Sequence, residues 1–137
     1  MSSIIPELNT ALYTTLSGST ALTTALGGTS IYFQQAPESK EVPFVIWSYQ
    51  SSFQENIELS PLHQVIVYIR CYDTNPARAG TVDNIIDGLI DGKTLSLSGS
   101  WVNYWSAREE DIVLVEEAPS QVTIHSIGAY YRINLDK

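Results

Sequence analysis

The stretch that decides the fold is "VYIRCYDTNPARAGTVDNIIDGLIDG", residues 67–92. Its first part belongs to "HQVIVYIRCYDT", in which apolar and polar residues alternate, a pattern typical of a β-strand with one buried face. The side predicted to be buried carries Val65, Val67, Ile69 and Cys71. The opposite side carries Gln64, Tyr68, Arg70 and Tyr72. The sequence therefore predicts a strand whose apolar side contributes to the core.

The second part of the same stretch has the pattern of an amphipathic helix. Asn75 suits the N-cap and Pro76 the first helical position, while Gly92 is placed to end the helix. The apolar residues recur at i, i+3, i+4, i+7 and i+8 and form one stripe, made of Val82, Ile85, Ile86, Leu89 and Ile90. We interpret the whole stretch as a strand, a cap and a helix that packs on a sheet. It is a scaffold rather than a reaction centre.

The remaining segments predict one α+β domain. Leu8, Leu12 and Leu16 stand at helical spacing between Pro6 and Gly18, and "STALTTALGG" predicts one further turn. Strands are predicted in "SIYF", "VPFVIWSYQSS", a short "TLSL", and a terminal hairpin of "WVNYWSAREEDIVLVEE" and "SQVTIHSIGAYYRINLD", with "EAPS" as the turn. We therefore expect a single domain over residues 1–137, a mostly antiparallel sheet with two main helices packed on it.

Charge and composition exclude several classes of function. The 137 residues include 15 acidic and 7 basic ones, a formal charge of -8, which argues against a phosphate-binding surface. No basic amphipathic segment suggests a membrane surface, and the N-terminus lacks the features of a signal peptide. A single cysteine allows no internal disulfide. We expect a soluble protein made in the cytoplasm.

Residues with chemical potential do not assemble into a catalytic motif. Cys71 lies in the apolar register of its strand, so we interpret it as a buried small hydrophobe. His125 shares the parity of apolar residues, and His63 is expected to be exposed before a strand, which makes a weak case for a metal. Neither a nucleophile elbow nor a phosphate-binding loop occurs. We predict no enzyme, no cofactor and no metal, with a hydrolase using Glu109 and Asp111 as a disfavoured alternative.

The segment "WVNYW" places Trp101 and Trp105 on one predicted strand face together with Asn103. A sugar-binding platform would show the same pattern. Core packing or a subunit interface is the favoured interpretation, because tryptophan is enriched in both. A small-ligand or sugar-binding module stays open as the alternative from another functional class.

Two acidic groups stand out in the chain. Asp83, Asp87 and Asp91 form an i, i+4, i+8 row that is predicted to face solvent on the helix, without an evident local partner. The segment "REEDIVLVEE" has acids at both ends of an apolar strand, a pattern typical of charges that prevent aggregation.

The order of these elements resembles that of the small tail-completion proteins of long-tailed bacteriophages, which include tail terminators and tail-to-head joining proteins. The resemblance spans almost the whole chain and is one of arrangement. It is carried by "LNTALYTTLSGSTALTTALGG", "SIYFQQAPESKEVPFVIW", "HQVIVYIRCYDTNPARAGTVDNIIDGLIDG" and the final hairpin. "QQAPESKE" and "SSFQENIELSP" are more polar and acidic than the family pattern leads us to expect.

The resemblance implies a structural virion protein that is located at the head-proximal end of the tail. Family members are α+β domains that form a hexameric ring, cap the tail tube and meet the head connector. The implied partners are other copies of the chain, the tail tube protein and the head connector or neck protein, with DNA passing through without specific binding. A head-side neck protein of the same fold is the alternative within this reading.

Three groups of residues are assigned on this basis. The polar stretch before the central strand is predicted to be a loop that contacts a neighbouring subunit or the tail tube, through Phe53, Gln54, Glu55, Asn56, Ile57 and Glu58. Interface aromatics are predicted at Trp101, Trp105, Tyr130 and Tyr131. An acidic bore along the DNA path is predicted from Asp83, Asp87, Asp91, Glu109, Glu110, Asp111, Glu116 and Glu117. Plain solubility is the competing account of these acids.

Overall fold

The computed structural model describes residues 4–37, 41–57, 60–99, 101–117 and 122–136, with the backbone alone for residues 51–57, 60–62, 116 and 117. Within these ranges it contains three helices and one five-stranded sheet. In chain order the elements are α1 Ile5–Ser17, α2 Thr20–Leu26, β1 Ile31–Phe33, β2 Phe44–Ile57, β3 Ser60–Asp73, α3 Pro76–Ile90, β4 Val102–Glu117 and β5 Thr123–Asp136. The strand order is β1-β2-β3-β5-β4, with β1 parallel to β2 and the other pairs antiparallel. The predicted α+β class is confirmed.

The core lies between the helices and one face of the sheet. Leu8, Leu12 and Leu16 of α1 are fully buried, as their spacing predicts. The sheet contributes alternate residues, among them Val45, Trp47, Val65, Val67, Ile69, Cys71, Ala129, Tyr131, Ile133 and Leu135. The predicted alternation of β3 is therefore confirmed. We call this side the helix-covered face and the other side the open face.

Helix α3 begins and packs as its sequence predicts. The Asn75 side chain accepts hydrogen bonds from the backbone N–H groups of Ala77 at 3.0 Å and Arg78 at 3.3 Å, which satisfies two amides that have no partner within the helix. Val82, Ile86 and Ile90 are buried, while Ile85 and Leu89 pack at the edge of the core. Gly92 has a φ of 69°, which suits a residue without a Cβ.

The prediction of a contact loop at residues 53–58 is wrong for the residues that the structure describes. β2 and β3 pair from Phe44 with Tyr72 to Ile57 with Ser60, with one register shift between Tyr49 and Ser51, so residues 51–57 and 60–61 are strand rather than loop. A polar sequence can continue a strand when a neighbouring strand supplies the ladder hydrogen bonds, which is why composition alone misled the prediction. Glu58 and Leu59 lie outside the described residues. The assigned residues Phe53 to Ile57 therefore belong to the end of a long β-hairpin.

The segment that links α3 to β4 also differs from prediction. "TLSL", residues 94–97, is not a strand. Leu95 is buried, and its backbone N–H donates to Oδ1 of Asn103 at 2.6 Å, so a side chain replaces the ladder bond that a strand would supply. Ala118 to Ser120 of the predicted turn lie outside the described residues. β4 and β5 form the antiparallel hairpin that was predicted.

Candidate assembly surfaces

One arginine holds the edge strand β4 against helix α3. Nη2 of Arg108 lies 2.8 Å from Oδ2 of Asp83, and Nη1 lies 3.5 Å from Oδ1 of Asp87. Nε donates to Oδ1 of Asp111 at 2.6 Å. The backbone N–H of the same arginine donates to Oδ1 of Asp91 at 2.8 Å. Four aspartates from two elements thus converge on one residue.

The surroundings of this cluster favour its charged form. Burial alone would lower the pKa of Arg108, but hydrogen bonds to Asp83 and Asp111 outweigh it, and the pKa is raised. Tyr131 lies beneath the guanidinium, which donates to its hydroxyl at 3.0 Å. Burial, supported by the negative charges of Asp83 and Asp87, raises the pKa of Tyr131 above its usual range. The site is an ion-pair network that lies on the ring of Tyr131, which is buried in the core.

The expectation that the helix aspartates form a solvent row without a local partner is wrong. Asp83 has only 7% of its surface exposed, and all three aspartates contact Arg108. The three aspartates reach Arg108 because the side of α3 that carries them faces β4. Their charge is compensated locally, which reduces the field they create at a distance.

The acidic residues of β4 differ in their ion-pair partners. Glu109 lies 2.9 Å from Arg132, and Asp111 contacts Arg108. Glu110 is exposed, and no described side chain forms an ion pair with it. Glu116 and Glu117 belong to the β4 backbone, and their side chains lie outside the description.

The predicted interface aromatics separate into two groups. Trp101 and Tyr131 are buried in the core of the subunit, so their assignment to a subunit surface is wrong. Trp105 is 52% exposed, and Tyr130 is half-buried on the open face, where its ring centroid lies 5.0 Å from that of Tyr68. Only Trp105 and Tyr130 keep the predicted position at a surface.

A β-bulge explains why the two tryptophans do not share a face. The register of β4 against β5 shifts between Asn103 and Trp105, so Tyr104 is an extra residue that breaks the alternation. Asn103 is buried, where its side chain donates to the carbonyls of Asn134 and Trp105. The two-tryptophan platform that a sugar-binding module would use is therefore absent from the described residues.

The remaining candidates for chemistry are structural. Cys71 is buried, and burial, followed by the nearby charge of Asp73, raises the pKa of its thiol to about 12. His63 lies within β3 and is half-buried edge-on against Trp101 at 5.4 Å, so the expectation of an exposed histidine before the strand is wrong. Among the described side chains, no group of three His, Cys, Asp or Glu residues is arranged to hold a metal ion.

The sequence interpretation missed an arginine and aromatic cluster on the open face. Arg70 lies with its guanidinium 4.5 Å from the ring centroid of Tyr68 and donates from Nε to the hydroxyl of Tyr72 at 2.8 Å. Nη1 donates to Oγ of Ser48 at 3.0 Å, and the Phe44 ring lies 5.3 Å from that of Tyr72. The signal was present in the sequence, because these residues are the polar side of the alternating β3 pattern.

A second missed feature is the apolar outer part of β4. Val113 and Val115 are each 64% exposed, and Leu114 between them is 47% exposed. Successive strand residues point to opposite faces, so apolar surface is exposed on both faces of this edge strand. A solvated strand would alternate apolar with polar residues, whereas "IVLV" does not. Contiguous apolar exposure of this kind makes the outer part of β4 a candidate interaction surface.

The fold and these surfaces define a small structural α+β domain. The chain matches the family described as "Tail completion protein gp17" over residues 10–125, and it belongs to that family. It is therefore a structural protein of a phage tail. The family resemblance inferred from the sequence is confirmed. No match was found among curated proteins.

A solved structure has the same fold. One chain of "Virion of native gene transfer agent (GTA) particle" aligns with a TM-score of 0.76 and 13% sequence identity, covering 100% of both chains. At this identity the likeness shows the fold alone. Within the described residues, no helix is long and apolar enough to cross a lipid bilayer.

Proposed function

We propose that the chain is a tail-terminator subunit that forms a ring, with six copies as the leading number, caps the tail tube and provides the joint to the head connector. The observation that carries the proposal is the edge strand β4, which exposes Val113, Leu114 and Val115 on both faces. An unpaired strand edge with apolar side chains promotes association. In a chain that belongs to a tail-completion family, other subunits are the natural cover for it.

The ring would let DNA pass without binding it. A bore rich in Lys or Arg would make phosphate contacts and slow the passage, whereas the chain carries a formal charge of -8. We propose that acids of β4 outside the subunit contact, namely Glu109, Asp111, Glu116 and Glu117, border the DNA path. The helix aspartates contribute less, because Arg108 compensates them.

We further propose that the end of the β2–β3 hairpin contacts the tail tube or the neighbouring subunit. Residues 54–57 extend β2 towards the end of the hairpin, where the ladder closes with Ile57 opposite Ser60. A hairpin end held by a rigid sheet is a suitable docking element. Deletion of Asn56 to Pro61 removes paired residues from both strands, so Glu55 and Leu62 can form the new turn. It should leave folding intact and abolish capping.

Capping is tested with tail tubes assembled from the tube protein of the phage that encodes the chain. Added protein should bind one end of each tube and stop its elongation, as measured by tube length in electron micrographs. The hairpin deletion should leave elongation unaffected by added protein, and Gly88→Ala is the matched control because an added Cβ there meets no atom within 4 Å. Binding to DNA-filled heads and not to tubes would favour the head-side neck protein instead.

A further inference from the structure

We propose that the exposed part of β4 in one copy seats on the open face of the next copy, beside Arg70. The first surface is the β4 arm, residues Ile112 to Val115. The second is the Arg70 face, made of the half-buried Phe44, Arg70 and Tyr72, with Tyr68 buried beneath Arg70. This inference rests on the proposed ring and names the contact that closes it.

The β4 arm has the chemistry of a surface that is buried in an assembly. Val113 pairs with Ile127 and Val115 with His125, which places both valines on the helix-covered side of the sheet. Helix α3 does not cover them, since they keep 64% of their surface exposed. Burying two valines and a leucine would remove a contiguous apolar surface from water, which favours association. The arm therefore supplies a large apolar contribution.

The Arg70 face has the composition of an interface centre. Tyrosine and arginine are enriched among the residues that dominate binding energy. Arg70 stacks on Tyr68, and its guanidinium donates hydrogen bonds to two neutral hydroxyl groups, those of Tyr72 and Ser48. Among the side chains that the structure describes, carboxylates pair with Arg78, Arg108 and Arg132, but none pairs with Arg70.

Charge complementarity identifies a second copy of the chain as the occupant. Glu110 stands two residues before the arm, exposed and without an ion-pair partner among the described side chains. Docking the arm on the Arg70 face brings the carboxylate of Glu110 to the guanidinium of Arg70, which keeps its hydrogen bonds to hydroxyl groups but has no carboxylate partner among the described side chains. A carboxylate–guanidinium pairing forms strong hydrogen bonds. The arm and the face thus match in both apolar surface and charge.

The strand register makes this contact compatible with a closed ring. Ile112 of the arm pairs with Gly128, and Gly128 pairs with Arg70. In the same way Leu114 pairs with Ser126, and Ser126 pairs with Tyr72. The arm and the face therefore lie at the same height along the strands of one subunit.

Equal height along the strands allows a closed ring if the ring axis runs parallel to the strands. A neighbour that is rotated about an axis parallel to the strands keeps every residue at its height, so its arm meets the face without a rise. Contacts between two different surfaces are heterologous, and they close into a ring when the rotation has no rise. The contact proposed here satisfies that condition, and an offset pairing would produce a filament.

Two surface variants test the contact. Val113→Asp combined with Val115→Asp disables the arm, and Arg70→Glu disables the face. Each should raise the protein concentration needed for half-assembly at least about tenfold, measured by sedimentation or on tail tubes. Val102→Asp is the matched control, because Val102 lies on the same strand, is 59% exposed and is outside the arm. It should assemble as the unmodified chain does.

Mixing the two variants gives a result that loss of folding cannot imitate. Each mixed pair retains one intact arm and one intact face, so an equimolar mixture should form a complex of two subunits and no ring. The double variant Arg70→Glu with Glu110→Arg should recover assembly, because it reverses both charges. Both results support the contact, and an equimolar mixture that stays monomeric contradicts it.

The outcomes separate this contact from the proposed function. If the unmodified chain forms no ring on tubes or in solution, the proposed function is wrong and this contact falls with it. If the unmodified chain forms rings and both the arm and the face variants form the same rings, the contact alone is wrong.

Discussion

Arg108 on the edge strand and Asp83 on helix α3 are 25 residues apart in the chain, and their side chains meet at 2.8 Å. Asp83 is buried and Arg108 is mostly covered, so water screens the pair only partly. The pair orients β4 against the helix, and the β4 arm begins four residues further along. The geometry of the proposed subunit contact therefore depends on an interaction inside the subunit.

Replacing Arg108 by methionine should lower the free energy of unfolding by about 2–4 kcal/mol, because it leaves the carboxylate of Asp83 buried without its partner. Urea denaturation measures the change. Arg132→Met is the matched control, since its pair with Glu109 is substantially exposed on both sides and contributes about 1 kcal/mol or less. Equal effects of the two substitutions would contradict the role given to Arg108.

Gly128→Ala should destabilise the sheet strongly. A Cβ at this position would lie 2.6 Å from the Cα of Arg70 and closer still to the carbonyl oxygen of Ile69, so the backbones of β3 and β5 would have to move apart. Gly88→Ala in α3 meets no atom within 4 Å and should instead stabilise the protein by about 0.5–1 kcal/mol. Thermal unfolding of both variants gives the comparison, and a neutral result for Gly128→Ala would refute the close approach.

Asp73 should make stability depend on acid pH. Burial alone would raise the pKa of this carboxyl, but hydrogen bonds from Arg78 and the backbone N–H of Asn75 outweigh burial and lower it. A lowered folded-state pKa gives a contribution that is fully present above the unfolded value of about 3.9 and is lost as pH falls through the folded value. Melting temperatures from pH 7 to pH 2.5 should fall less steeply in Asp73→Asn, and an unchanged slope would show that another group is responsible.

Charge reversal on β4 tests the proposed DNA path. Glu116→Lys and Glu117→Lys, singly and combined, should leave tails assembled but slow DNA release from particles. The delay should shrink at high salt, because phosphate contacts weaken as ions screen them. Glu41→Lys controls for total charge, since it makes the same change of charge at an exposed residue that lies outside β4. Release at the unmodified rate at low salt would mean that these acids serve solubility.

The central strand and helix α3 were predictable because their signals are local. The alternation that ends at Cys71, the cap at Asn75 and the stripe through Val82 each depend on neighbours within a few residues. Helix α2 was also present as a short pattern, with Ser19 as its cap and Gly27 in the left-handed region. Such features follow from backbone geometry and periodicity alone.

The candidate surfaces were less predictable because they depend on register and on distant partners. The extra residues Tyr104 and Glu109 shift β4 against β5, and no period in the sequence indicates a bulge. The shift at Tyr104 places Trp101 and Trp105 on different faces, and long-range pairing brings Arg108 to the helix aspartates. A row of like charges on a helix predicts a solvent-exposed side, and only the folded structure shows that a distant strand supplies the compensating charge.

The number and position of copies on the tail is the most direct test of the ring. Purified tails carrying the chain are imaged by electron microscopy, and end views of the head-proximal tip are averaged to count the copies. The account predicts one closed ring, with six copies as the leading number, at that end of each tube. A stable dimer both in solution and on tubes, or copies distributed along the tube, would contradict it.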